Sequence, residues 1–207
     1  MLEILDYSDF TRQSDLSETV FQDRAAQFVH RHKWPLKVTA NGYEIDDFDA
    51  DGTRYLVVHR HGVHRASLRL RPAAAGSMVE RAFPEIWRDH GAALAGLVEV
   101  TRFCSARHLD GIDRRRSTIE LLIGLCRHGR RNGTTGLFGV VYPGVTRAIA
   151  RSGWACQVLG RYVIDDREVW LARWDCTPEA DWALQEQSAA LADRAEARLA
   201  AEGFAAA

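Results

Sequence analysis

The chain has 207 residues, 46% hydrophobic and 27% charged, which is enough apolar material for one substantial core. Its formal net charge of -1 supplies no whole-protein field toward or away from nucleic acid. No apolar run has the length of a membrane span or a secretory signal, and the four cysteines form no Cys-x-x-Cys pair, so zinc ribbons and thioredoxin chemistry lose their support.

In chain order, residues 2–7 alternate and predict a first strand. Residues 14–32 place Leu16, Val20, Phe21, Ala25, Phe28 and Val29 on one helical stripe, and Trp34-Pro35 ends it. Residues 35–53 predict a long, ordered loop, and loops of that length are usually functional. Residues 54–60 and 63–71 predict a hairpin around His61-Gly62, closed by Pro72. Residues 73–78 are small and predict a flexible connection. A short helix follows at 79–90, then a strand at 96–104. Ser117-Thr118-Ile119-Glu120 has the form of a capping box and predicts a helix start at 117, running to about Arg131 with Gly133 as its stop. Residues 135–142 predict a buried strand and Val145–Ser152 a short helix. A second hairpin, 155–164 with 167–175, turns at Asp165-Asp166. Thr177-Pro178 opens an Ala-rich helix over about 178–202. Helices mixed with strands and hairpins predict one α/β domain spanning 1–207, a mixed sheet flanked by helices. With no export signal, reduced thiols in the cytoplasm are the expectation.

The densest chemistry lies in Glu44-Ile45-Asp46-Asp47-Phe48-Asp49. A solvated acidic loop needs neither Ile45 nor Phe48, so the segment reads better as partly buried carboxylates than as the alternative, a solvated loop. Such groups need cationic partners, and Arg24, Arg69 and Arg102 are the candidates. Pairing of that kind depresses carboxylate pKa values. Aromatic residues beside the cluster suit a cationic, amine-bearing substrate. In Val98–Phe103, Glu99 and Arg102 interrupt an apolar strand, yet strict alternation sends them to opposite faces. Both reach one site only if a bulge intervenes.

Other signals are weaker. His59, His61 and His64 predict an exposed turn and poor metal ligands, so no metal is expected. Walker, dinucleotide and serine-hydrolase glycine motifs are absent. The arginines at 114–116 and 127–131 fit either a solvated helix face or a docking patch for an acidic partner, without the aromatic interleaving of a single-strand nucleic-acid platform.

Taken in order, these residues carry a resemblance. Arg24, Phe28 and Trp34, the Glu44-x-Asp46-x-x-Asp49 run, Arg69-Leu70-Arg71-Pro72, Phe83-Pro84 and the Glu99-x-Thr101-Arg102-Phe103 strand resemble the motif series of the acyl-homoserine-lactone synthases, the bacterial autoinducer synthases. Tyr43, Ala73 and Tyr142-Pro143-Gly144 depart from the family pattern. The resemblance implies a fold similar to the N-acetyltransferase superfamily, no cofactor, and two substrates. These are S-adenosylmethionine and an acyl thioester on acyl carrier protein or coenzyme A. It implies Glu99 as base, with Arg102 beside it. Arg24, Phe28, Trp34, Glu44, Asp46, Asp49 and Arg69 would bind S-adenosylmethionine or build its site, and Phe83, Thr101, Phe103 and Tyr142 would shape the acyl pocket. Arg127, Arg130 and Arg131 would dock the carrier. The alternatives are a coenzyme-A-dependent N-acetyltransferase and a non-catalytic module that grips acyl carrier protein. Arg107–Arg116 holds a single glycine, Gly111, against the acetyltransferase reading.

Overall fold

The computed structural model describes the backbone of residues 1–205 and the side chains through Arg194 and of Glu196. Its elements are β1 (Leu2–Asp6), α1 (Tyr7–Arg12), α2 (Ser14–Arg24), β2 (Arg54–Arg60), β3 (Val63–Pro72), α3 (Met78–Ala82), α4 (Pro84–Leu94), β4 (Val98–Ser105), α5 (Gly111–Arg131), β5 (Leu137–Val141), α6 (Pro143–Ala150), β6 (Gln157–Ile164), β7 (Arg167–Trp174) and α7 (Pro178–Ala205). A π-helical stretch, Ala25–Arg31, continues α2. The strands form one sheet in the order β1-β2-β3-β4-β5-β7-β6. Only β4 and β5 run parallel. This is the mixed sheet between helices that the sequence predicts.

Alternation along the strands sorts the core onto two faces. Leu56, Val58, Leu68 and Leu70 pack with Leu121, Leu122 and Leu125 of α5. Tyr55 and Val57 point the other way, into Phe10, Leu16, Val20 and Phe21. Further along that second face, Val79, Ile86 and Leu94 cover Phe138 and Leu171.

Both hairpins turn where expected. His61-Gly62 has φ values of 52° and 77°, and Asp165-Asp166 has 48° and 58°. Positive φ at both turn residues matches the right-handed twist of the flanking strands. Several boundaries differ from expectation. The segment at 79–90 is two helices, because Pro84 starts a new one and Phe83 leaves the helical region at φ -136°. The small-residue stretch before it is ordered: Ala73–Ala75 is a 3-10 turn, and Ser77 caps α3 by accepting from the Val79 and Glu80 N–H groups. Helix α5 starts at Gly111, not at Ser117. Asp110 is its cap, accepting the Asp113 N–H at 2.7 Å, while Ser117 is buried within the helix and accepts from Arg65 Nε at 3.0 Å. His59 and His64 are buried, not turn-exposed, and pair with Glu3 and Asp23. No cluster of three or more potential metal ligands forms among the described residues. Among them, no helix is long and apolar enough to cross a membrane.

The feature that positions the site is the junction of β4 and β5. They pair only at Val98↔Leu137 and Glu99↔Phe138, and beyond Glu99 they part. At the vertex a Cβ added to Gly139 would lie 2.7 Å from the Val100 carbonyl oxygen. Only glycine lets the two backbones approach this closely. Gly139→Ala must push β5 away or strain it, an overpacking cost of about 1–3 kcal/mol. The expected result is a melting temperature several degrees lower; an unchanged value would show that the junction is slack.

Candidate active site

Three arginines and three carboxylates close a ring of alternating charge. Arg24 Nε donates to Glu44 Oε2 at 2.7 Å, and its two Nη atoms take Asp49 bidentately at 2.8 Å each. Arg69 Nη1 lies 3.0 Å from Asp49 and binds Asp46 with both Nη atoms. Arg102 Nη2 joins Asp46 at 2.6 Å and Glu44 at 2.9 Å, completing the circuit. Tyr55 donates its hydroxyl to Asp49, and Arg69 Nε donates to Thr101 Oγ1 at 2.9 Å.

Local sequence explains how each member arrives. Arg24 takes the next place after Leu16 and Val20 on the buried stripe of α2, so it is buried, 1% exposed. Arg69 shares a strand face with its cross-strand neighbour Tyr55, while Leu68 and Leu70 face α5. The acidic loop folds on its own side chains: Asp49 accepts the Asp46 N–H and Asp46 accepts the Phe48 N–H, both at 2.8 Å. Arg102 arrives through a bulge. Ser67 pairs with Cys104 and Arg69 with Thr101, so Leu68 faces two residues, and Arg102 has φ 54°. That bulge turns Arg102 onto the face of Arg69 and Thr101, where strict alternation would have sent it to the opposite one.

The ring settles what the carboxylates do. Burial alone would raise the Asp49 carboxyl, but Arg24, Arg69 and the Tyr55 hydroxyl hold it well below the usual range. Asp46 is lowered too, against its own burial, by Arg69 and Arg102. Each is therefore ionised and already neutralised, so the ring has no spare negative charge for a substrate cation. Asp47 stands apart, exposed and paired with Arg81.

Glu44, Asp46 and Arg102 reach the wall of a cavity of about 1660 Å³, whereas Arg24, Asp49 and Arg69 lie behind them. The volume exceeds the roughly 300–1,000 Å³ of a one-ligand pocket. The cavity passes through the gap between β4 and β5. On the acidic-loop side it is lined by Phe28, Trp34, Met78, Phe83 and Thr101; on the α5 side by Leu122, Leu125, Ile149, Trp154 and Trp174. Phe28 and Trp34 stack at 4.9 Å, Arg102 sits 5.7 Å over the Phe28 ring, and Trp34 Nε1 donates to the Tyr142 hydroxyl at 2.7 Å.

The expected acyl-pocket residues are thus divided. Phe103 packs on the α5 side, Phe83 and Thr101 belong to the other face, and Tyr142 joins the aromatic wall. The deep apolar residues went unrecognised because a leucine on a helix stripe reads as core whether or not a cavity touches it.

Glu99 is 1% exposed. Its oxygens accept the Met78 N–H at 2.7 Å and the Val79 N–H at 2.9 Å, and it is not part of the cavity wall. Its partner is the start of α3, not Arg102. Burial raises its carboxyl above the ordinary value, against the two N–H groups that favour the anion. Arg127 and Arg130 both bind Asp181 at 2.9 Å, which ties α5 to α7 and spends charge expected to dock a carrier. They lie apart from the main cavity; Arg31, Lys33, Lys37, Arg107, Arg114 and Arg167 line it instead.

Comparison with known proteins follows the same lines. The family model described as autoinducer synthase matches residues 8–184. The chain belongs to the autoinducer synthase family. An acyl-homoserine-lactone synthase of Enterobacter agglomerans is 27% identical over 84% of this chain and 82% of its own length. One from Pseudomonas amygdali pv. tabaci is 31% identical over 70% of this chain and 65% of its own. In structure, the acyl-homoserine-lactone synthase LasI superposes with a TM-score of 0.76 at 23% identity, covering 89% of this chain and 93% of LasI. An acyl-CoA N-acyltransferase from Pseudomonas aeruginosa has a TM-score of 0.55 at 19% identity over 84% of this chain and 98% of its own. The autoinducer synthase thus shares the acyltransferase fold.

The depressed Asp46 and Asp49 give the ring a pH signature. A carboxyl lowered on folding contributes stability that is fully present above its unfolded value, near 4, and lost progressively as pH falls from there through its lower folded value. Melting temperature should therefore drop as pH falls below about 4. Arg24→Met strands two buried carboxylates and should cost about 3–5 kcal/mol at neutral pH. Arg81→Ala, at the exposed Asp47 pair, should change little. Equal effects from the two substitutions would deny the ring its structural role.

Proposed function

We propose that this autoinducer synthase is an acyl-homoserine-lactone synthase that acylates S-adenosylmethionine from an acyl thioester and then closes the lactone. The observation that carries the proposal is a cavity that joins an aromatic, charge-ordered chamber to an apolar one through the gap between β4 and β5. Two unlike substrates can meet there. S-adenosylmethionine fits the Phe28–Trp34 side, where aromatic faces attract a sulfonium by about 0.5–2 kcal/mol. The neutralised ring contributes position and not charge. The acyl chain fits among Leu122, Leu125, Ile149, Trp154 and Trp174. A fold neighbour, the acyl-homoserine lactone synthase BjaI, was solved with SAM and isopentyl-CoA, which supports the pairing of ligands.

The chemistry needs two displacements. The amine nitrogen attacks the thioester carbonyl; a C–N bond forms, the C–S bond breaks, and the thiol leaves with a proton. The substrate carboxylate then attacks its own γ-carbon, a C–O bond forms, and methylthioadenosine leaves as a neutral thioether. The second step needs mainly alignment, because the sulfonium is already a leaving group. The first needs a base. Glu99 is the candidate, and its place behind Met78 favours transfer through a water. Acyl carrier protein and coenzyme A both remain candidate donors, and the cationic residues of the cavity wall suit the phosphate that each carries.

Methylthioadenosine release should require S-adenosylmethionine and an acyl thioester together, followed by chromatography. Acyl transfer to other amines with S-adenosylmethionine inert would instead make the protein an N-acetyltransferase. Thioester-carrier binding with no turnover of either kind would make it a binding module.

The acid limb of the pH–rate profile should lie above the ordinary glutamate value of about 4.3, as burial of Glu99 dictates. Glu99→Gln should abolish that limb and lower turnover by about 10²–10⁴-fold. Because Gln sets an NH₂ against the Met78 or Val79 N–H, melting is measured on the same sample. A folded variant with undiminished turnover would remove Glu99 from the chemistry.

A further inference from the structure

Beyond Glu99, β4 has no strand on its β5 side, yet part of that free edge is occupied. Gln27, in the π-helical stretch after α2, donates from Nε2 to the Phe103 carbonyl at 2.9 Å and accepts the Ser105 N–H on Oε1 at 3.2 Å. A glutamine amide engaged at both ends reproduces the donor–acceptor pair of a peptide group. It gives β4 one rung of a missing neighbour.

The position of this rung matters. Gln27 immediately precedes Phe28, and Phe103 immediately follows Arg102. The Phe28 ring lies 5.7 Å beneath the Arg102 guanidinium and stacks on Trp34. Arg102 holds an unfavourable positive φ in the bulge. The two hydrogen bonds therefore join the aromatic wall and the bulge at adjacent residues, and fix how far one slides along the other. The ring anchors the Arg102 side chain; among the described residues, Gln27 is what ties the Phe103–Ser105 backbone just beyond it to the Phe28 segment. The π-helical turn is what brings Gln27 to this edge, with its carbonyl accepting the His32 N–H at 3.0 Å. Such turns are concentrated at functional sites.

We propose that Gln27 is a positioning residue for the amine-bearing substrate: its side-chain amide stands in for a strand on the open edge of β4 and holds Phe28 in register with Arg102. The proposal rests on the reading of that chamber as the S-adenosylmethionine site. Gln27 lines the cavity beside Phe28 but makes no hydrogen bond to the ring residues, so its signature is substrate affinity.

Gln27→Met keeps length and shape and removes both hydrogen bonds. It should raise the Kd and KM for S-adenosylmethionine by about tenfold, with kcat at saturation and the KM for the thioester within about threefold. A residue that served only stability would lower the melting temperature and leave that split absent. Amide hydrogen exchange supplies a readout free of substrate: the Ser105 N–H should be protected in the wild-type protein and exchange markedly faster in the variant. An unchanged Kd for S-adenosylmethionine, or a Ser105 amide equally protected in both, would overturn the assignment. Wild-type protein that binds S-adenosylmethionine without releasing methylthioadenosine would defeat the proposed function, while the Kd comparison would still decide Gln27. Failure of the wild-type protein to bind it would overturn both.

Discussion

Everything at this site depends on a closed ring of three guanidiniums and three carboxylates. The ring has no net charge, and each arginine bridges two acids. It draws on α2, the loop at 35–53, β3 and β4, elements far apart in sequence. Buried ion pairs seldom stabilise a fold relative to well-packed apolar residues, although breaking one is costly. Stability therefore does not explain why six polar groups sit where leucines would do. Geometry does. A carboxylate held by two arginines has little freedom to move, so the ring gives Glu44, Asp46 and Arg102 fixed places on the cavity wall.

The second constraint is a sheet that stops being a sheet. Parallel strands normally pair along their length, yet β4 and β5 share two register positions before they part. Gly139 allows the backbones to touch at the vertex. The gap turns a barrier between two hydrophobic faces into a passage. One face carries the ring and the stacked aromatics, the other the apolar residues beneath α5 and α6. A reaction that joins a polar amine to a fatty acyl group needs both environments within bonding distance, and the gap is the place where this fold supplies it.

Much of this was legible in the sequence, and the failures have physical causes. Carboxylates interrupted by Ile45 and Phe48 pointed to the ring, because buried carboxylates need cationic partners; Arg24 by itself reads as a surface arginine beside Phe28. The need for a bulge between Glu99 and Arg102 followed from strand periodicity. Asp110 was overlooked as a cap because the arginines after it resemble a loop, whereas Ser117 mimics a capping box inside the helix. His59 and His64 stand beside the turn in sequence but face each other across β2 and β3, where they are buried. No local pattern could reveal the π-helical turn, the partner of Glu99 or the apolar chamber. Each depends on contacts between segments that the sequence does not juxtapose.

The different partners of Glu99 and the ring carboxylates set their charge states apart and support the proposed role of Glu99. Asp46 and Asp49 face guanidiniums, so they are lowered and ionised at neutral pH. Glu99 faces two backbone N–H groups, which carry only partial charges, and burial raises it. The first arrangement locks a proton out. The second leaves a carboxylate able to take one, while the same hydrogen bonds hold the start of α3 and place Met78 in the cavity wall. An acid able to accept a proton from an amine has to be buried without a cationic partner. Among the acids of this cluster Glu99 alone meets that condition, since the arginines beside it are already committed to the ring.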